Sequence, residues 1–248
     1  MRTWSGRSVN RQALRGGQSG KCGNQEVDAP DAPEAADSQA DGRRVFDYAC
    51  YRKEVPHMSR KKTLRILFVG NSHTYYNDMP HLVQLRAEKE GFACQVTMIA
   101  HGGWYLSQHA EEPDVRFNIA YGGYDYVVLQ EHAHPFGPEE RFAEAVKKLN
   151  AMIRAAGAVP VIYACWAREG EREKQALMNE VHERTADAID ALLAPVGEKW
   201  WDAVQRLPEH AMYAQDGAHA SPAGSDFAAE ILWQTIRDDM ERREERDL

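Results

Sequence analysis

Four short apolar runs, each closed by a polar loop and followed by a helical stretch, constrain this chain more than any other feature. Residues 66–69, Ile-Leu-Phe-Val, are rich in β-branched and aromatic side chains, as a buried strand requires, and stop at Gly70-Asn71, which is turn chemistry. The same reading places strands at 94–99, 125–129 and 159–163. Helices are predicted over 79–90, closed by Gly91, and over 138–156, where Phe142, Val146, Leu149, Met152 and Ile153 share one face and Gly157 ends the period. A long helix over 172–193 follows, with Met178, Val181, Ile189 and Leu192 as core positions. Next come an extended piece at 194–196 and a helical stretch at 200–207. Ser221-Pro222 opens the last helix with an N-cap hydroxyl and a proline at the first helical position, and the charged residues 242–247 form its solvated, fraying end. Strands alternating with helices in this order predict an α/β fold, a mostly parallel sheet covered on both faces.

Residues 1–58 read differently. They are rich in Gly, Arg, Asp, Ala, Ser and Gln and hold no sustained period, so the expectation is a poorly structured N-terminal extension, with the folded domain at 59–248 beginning just after Met58. The Arg-rich start leads into no apolar h-region, and the acidic residues in 26–41 argue against a transit peptide. No apolar run approaches the roughly 20 residues of a membrane helix. The net charge of −8 argues against nucleic acid as the main partner. Cys22, Cys50, Cys94 and Cys165 lack metal-type spacing and are expected as buried free thiols, consistent with a cytoplasmic location.

Polar residues collect at the strand ends. Asn71-Ser72 follows the first strand, Gly102-Gly103 the second and Gln130-Glu131-His132 the third, while Asp216 and His219 stand just before the last helix. Parallel strands put all these ends on one edge, where the loops converge. Asp216 and His219, three apart on a loop containing Gly217, suit a carboxylate holding imidazole Nδ1 while Nε2 faces a serine. Ser72 would be the nucleophile. The Ser72 N–H, the Gly103 N–H and the Gln130 amide are candidate donors to a developing oxyanion. Trp104, Tyr105 and Trp166 read first as packing residues, although on this edge an aromatic ring could also stack on a sugar, and His101, His132 and His134 invite a metal reading that the polar pattern does not require.

Gly70-Asn71-Ser72-His73-Thr74 after the first strand, the Gly-Gly loop after the second and Asp-x-x-His before the last helix together resemble the SGNH (GDSL-type) hydrolase superfamily over residues 64–236. The resemblance implies a flavodoxin-like three-layer α/β/α sandwich and a Ser-His-Asp triad of Ser72, His219 and Asp216. It also implies Gly103 as oxyanion donor and hydrolysis of small-molecule or carbohydrate esters, acetyl groups among them, without a metal or other cofactor. Two positions depart from the family pattern. Asn71 stands where Gly-Asp-Ser has aspartate and reads as a loop-bracing amide. The third block, usually Gly-x-Asn-Asp, is Gln130-Glu131-His132, so either Gln130 by its amide or His132 by its position takes the place of the oxyanion asparagine. This variant is similar to an uncharacterised SGNH-like subgroup. Two other classes stay open: a non-catalytic glycan- or acyl-binding module on the same fold, and a metal-dependent phosphoesterase, which Gly-Asn-x-His loosely matches although strand one lacks an Asp-x-His ending.

Overall fold

The computed structural model describes residues 63–208 and 211–246; the expected extension at 1–58, with Cys22 and Cys50, lies outside them. Five parallel strands form one sheet: β1 Leu64–Gly70, β2 Cys94–Ala100, β3 Tyr126–Leu129, β4 Val159–Tyr163 and β5 Leu192–Ala194, in the spatial order β2-β1-β3-β4-β5. This is the flavodoxin-like order. Around it lie α1 Ser72–Tyr75, α2 Met79–Lys89, α3 Leu106–His109, α4 Pro113–Tyr121, α5 Glu139–Ala155, α6 Gln175–Ala188, α7 Val196–Val204 and α8 Pro222–Arg246.

The period of two along the strands divides the interior into two cores. Ile66 and Phe68 of β1 join Tyr126 and Val128 of β3 and Val161 and Tyr163 of β4 against α2, α7 and α8, with Trp200 and Trp233 buried among them. Leu67 and Val69 face the other way with Val127, Leu129 and Ile162, against Phe142, Val146, Leu149 and Ile153 of α5 and against α3 and α4. Register is in step across the sheet, Phe68 lying opposite both Met98 and Val128. A one-residue slip would exchange the two sets of side chains.

Four predicted segments differ, among them the helical stretch expected at 200–207, which runs over Val196–Val204. The helix expected over 172–193 begins with a 3-10 turn at Arg172–Lys174 and ends at Ala188, so Leu192 is a strand residue, not a helical core position. Asp190, at φ 53, turns the chain into β5, and the pairing of Leu192–Ala194 with β4 outweighs continued helix propensity. The extended piece therefore precedes the predicted 194–196. Helix α8 in turn stays helical through Arg246; within it the buried Asp239 accepts from Arg243 Nε at 2.6 Å and from Tyr126 Oη at 2.9 Å. Cys94 and Cys165 are buried free thiols. Among the described residues no helix is long and apolar enough to cross a membrane.

His182, buried between α6 and α5, donates from Nδ1 to the Met178 carbonyl at 2.6 Å and stacks on Phe136. Burial lowers it to about 4 against the pull of that hydrogen bond. The unfolded chain therefore takes a proton at this residue that the folded chain refuses. Stability is full above the ordinary imidazole range and falls as pH drops toward about 4, on the order of 3 kcal/mol for one such group. Urea unfolding at pH 7 and pH 4.5 will show a smaller acid-induced loss in His182→Leu than in the parent.

Candidate functional site

Strand order reverses beside β1, since the chain goes from β1 outward to β2 and then back across to β3. The crevice of such a sheet opens at this switch point, beyond the carboxyl ends of the strands. β1 ends there on Gly70, whose missing side chain is a steric requirement. A Cβ would lie 2.3 Å from Thr74 Oγ1 and 2.6 Å from Gln130 Oε1. The same Gln130 oxygen accepts from the Asn71 N–H at 2.8 Å and from Thr74 Oγ1 at 2.9 Å. Asn71 then caps α1, its Oδ1 accepting from the His73 N–H at 3.0 Å. Ser72 is therefore the first residue of a helix, and its N–H is one of the donors a helix start leaves without an intrahelical acceptor.

Ser72, His219 and Asp216 meet in one line. Ser72 Oγ lies 2.7 Å from His219 Nε2, and His219 Nδ1 lies 2.5 Å from Asp216 Oδ2. The carboxylate cannot donate, so Nδ1 carries the proton and Nε2 is free to accept from the serine. Asp216 Oδ1 accepts from the Ala218 and His219 N–H groups, both at 2.9 Å, and Gly217 at φ +62 permits that tight loop. Partial burial pushes Asp216 upward, but the His219 ring and these two N–H groups outweigh it and hold the carboxyl well below the usual range.

The imidazole is fixed by rings that sequence reasoning missed. Tyr76 stacks on His219 with centroids 4.1 Å apart and planes at 10°. Asn77, at φ 53, anchors that segment by donating from Nδ2 to the Ala220 carbonyl at 3.0 Å and to Ser225 Oγ at 2.8 Å. Trp166 donates from Nε1 to the Ala218 carbonyl at 2.9 Å. It is fully buried and stacked on Trp200 at 4.0 Å, so it braces the Asp216–His219 loop as a packing residue and is no sugar platform. His73, to which the sequence assigned nothing, packs against His219 at 4.8 Å and His134 at 5.0 Å. Burial first, and the neighbouring His134 and His219 next, keep it neutral. No local signal marks Tyr76 or Trp166. Their partners on the Asp216–His219 loop lie more than 50 residues away in sequence.

Gly103, at φ +74, lies on the loop after β2 and lines the same pocket of about 530 Å³ as Ser72 and His219. Two contacts hold this loop to the rest of the site. Asn71 Nδ2 donates to the Trp104 carbonyl at 2.9 Å, and the buried Glu131 carboxylate accepts from the Leu106 N–H at 3.1 Å and the His132 N–H at 2.9 Å. Burial raises Glu131 in spite of these donors. An aspartate at 71 would accept from His73 equally well but would have no proton for Trp104. That is a physical reason for the departure from Gly-Asp-Ser.

Gln130 and His132 end up in different places. Gln130 does not line the Ser72 pocket. Its Oε1 is engaged by Asn71 and Thr74, and its Nε2 donates to the Glu131 carbonyl. The expectation that its amide completes the oxyanion hole fails on this geometry, because the side chain turns inward to brace β1. His132 does line the pocket, but its Nδ1 faces the Pro135 carbonyl at 3.1 Å. A carbonyl only accepts, so Nδ1 carries the hydrogen and the neutral ring offers the pocket a lone pair, not a donor. Of this set, Ser72 and Gly103 line the pocket at Ser72 Oγ. Tyr105 already carries the Arg141 guanidinium at 3.5 Å and the His132 ring at 4.4 Å, and Trp104 packs on His101 at 4.2 Å. His101, His132 and His134 thus engage different rings, and among the described residues no group of three or more His, Cys, Asp or Glu is arranged to hold a metal ion.

No protein-family model matches the chain, and no curated protein does. Solved structures do. A DUF4886 family protein from Bacteroides uniformis ATCC 8492 is 18% identical, with a TM-score of 0.56, over 70% of this chain and 83% of that one. The catalytic mutant of Axe2, an acetylxylan esterase from Geobacillus stearothermophilus, is 15% identical, with a TM-score of 0.52, over 71% and 96%. These two share the fold. A candidate SGNH hydrolase from Slackia heliotrinireducens is 32% identical, with a TM-score of 0.61, over 71% of this chain and 100% of that one. With that identity across the whole of a relative, on a sheet of flavodoxin-like order, the chain belongs to the SGNH hydrolase superfamily.

Proposed function

We propose that this protein hydrolyses carboxylic esters through an acyl-enzyme on Ser72. The observation that carries the reading is the unbroken contact from Ser72 Oγ through His219 to Asp216, 2.7 Å and 2.5 Å long, at the switch point of the sheet. Membership in a hydrolase superfamily, and esterases among the structural neighbours, support ester chemistry.

In this reading His219 Nε2 takes the Ser72 proton as Oγ attacks the carbonyl carbon, and Asp216 stabilises the imidazolium that results. The carbonyl oxygen gains charge, and the Ser72 and Gly103 N–H groups are the donors assigned to meet it. The tetrahedral intermediate collapses as His219 returns the proton to the alkoxy oxygen, and the alcohol leaves. Water, deprotonated by His219, then releases the acid and restores Ser72. Base, acid and oxyanion donors all come from the chain, so the mechanism calls for no cofactor.

Ser72→Ala will reduce hydrolysis of p-nitrophenyl acetate by a factor on the order of 10⁴ or more, and a fluorophosphonate will label the parent at Ser72 alone. Undiminished turnover by the alanine variant refutes the reading. Asp216→Asn will lower kcat by about 10² to 10⁴, because an amide that donates to His219 imposes the wrong tautomer, while the fold, checked by circular dichroism, is kept. Asn71→Asp sets a carboxylate against the Trp104 carbonyl and loosens the Gly103 loop. It will lower kcat roughly tenfold with little change in KM, a displaced oxyanion donor being worth up to 10² to 10³.

A further inference from the structure

The ester reading uses only one end of the space that opens at Ser72. A trough of about 570 Å³ continues from it, between the loop after β3 and the start of α6. His134 and Arg168 line both the trough and the Ser72 pocket, so the two spaces share a wall. The trough is floored by buried Ala133, Ala167 and Met178 and the half-buried Phe136, and Leu177 forms its lip, 60% exposed on the solvent side of α6. Three of the charged groups that line it are engaged elsewhere. Lys174 pairs with Glu171 at 2.8 Å, and Arg168 donates to the Asp216 carbonyl at 3.1 Å.

What sets this trough apart from other depressions of similar size is that it shares a wall with the Ser72 pocket. An acetyl group held at Ser72 would leave the whole trough unused. Gly103 stands on the loop after β2, whereas the trough is lined from the loops after β3 and β4. A substituent of the reacting carbonyl that turns away from Gly103 would enter it.

We infer that the trough binds an unbranched hydrocarbon chain of the substrate, so the preferred esters carry a chain longer than acetyl on the acyl or the alcohol side. This rests on the ester-hydrolase reading and narrows its substrate class. Each methylene taken from water into the trough lowers the barrier by its transfer free energy, a gain of roughly two- to fourfold in kcat/KM per methylene.

The test uses the full chain and two ester series. In one, p-nitrophenyl esters run from acetate to hexanoate; in the other, alkyl acetates run from ethyl to hexyl. A rise in kcat/KM with length in the first series places the acyl chain in the trough, and a rise in the second places the alcohol there. Leu177→Glu, which puts a charge on the lip, will flatten that rise, read as the ratio of kcat/KM between the longest and the shortest ester of the series, and Leu177→Trp, which narrows the entrance, will do the same without a charge. Leu177 is a surface residue, so thermal unfolding of both variants will match the parent. Acetate turnover with no length dependence in either series overturns the trough assignment and leaves the ester reading standing. No turnover of any ester, with no phosphonate label on Ser72, overturns both.

Discussion

The site depends on one close approach, that of the Gly70 backbone to the Gln130 side chain. Because residue 70 has no Cβ, the Gln130 oxygen reaches past the end of β1 to the Asn71 N–H and the Thr74 hydroxyl. The strand is thereby stopped at a fixed residue, and the chain turns into α1 with Ser72 at its first position. A buried, fully engaged amide is costly to displace. The serine hydroxyl and its own N–H are thus presented to the crevice from a rigid support, not from a free loop.

The loops around that serine are tied to one another, not only to the sheet. Asn71 and Glu131 both hold the loop that carries Gly103, while Tyr76 and Trp166 hold the loop that carries His219. Burial keeps His73 uncharged beside His219. A second positive charge next to an imidazole that must itself become positive would oppose proton transfer, so a neutral ring suits this position.

The elements of the fold were largely legible because the apolar runs are short, their ends carry turn residues and the helices between them are periodic. Val159–Tyr163 is the strand the pattern outlines, and Gly91 and Gly157 stand where the chain leaves its helices at positive φ. The stretch after residue 188 was not legible. Leu192 continues a helical period, and only the free edge of β4 makes it a strand. At the site, Ser72, Asp216, His219 and Gly103 could be picked out because each stands beside a recognisable break. Gln130 was picked out too, but for a role its orientation excludes.

The succession of strands and helices along the chain, the placement of Ser72 just after β1 and the spacing of Asp216 from His219 were determined by the sequence alone, since each depends on contacts within a few residues or on periodicity. Which way a side chain turns was decided only by the tertiary structure. The Gln130 amide faces inward because β1 ends against it. The His132 ring offers an acceptor because the Pro135 carbonyl holds its other nitrogen. Trp166 is a brace because Trp200, 34 residues away, covers its face. Those orientations are set by partners distant in sequence, and no local pattern encodes them.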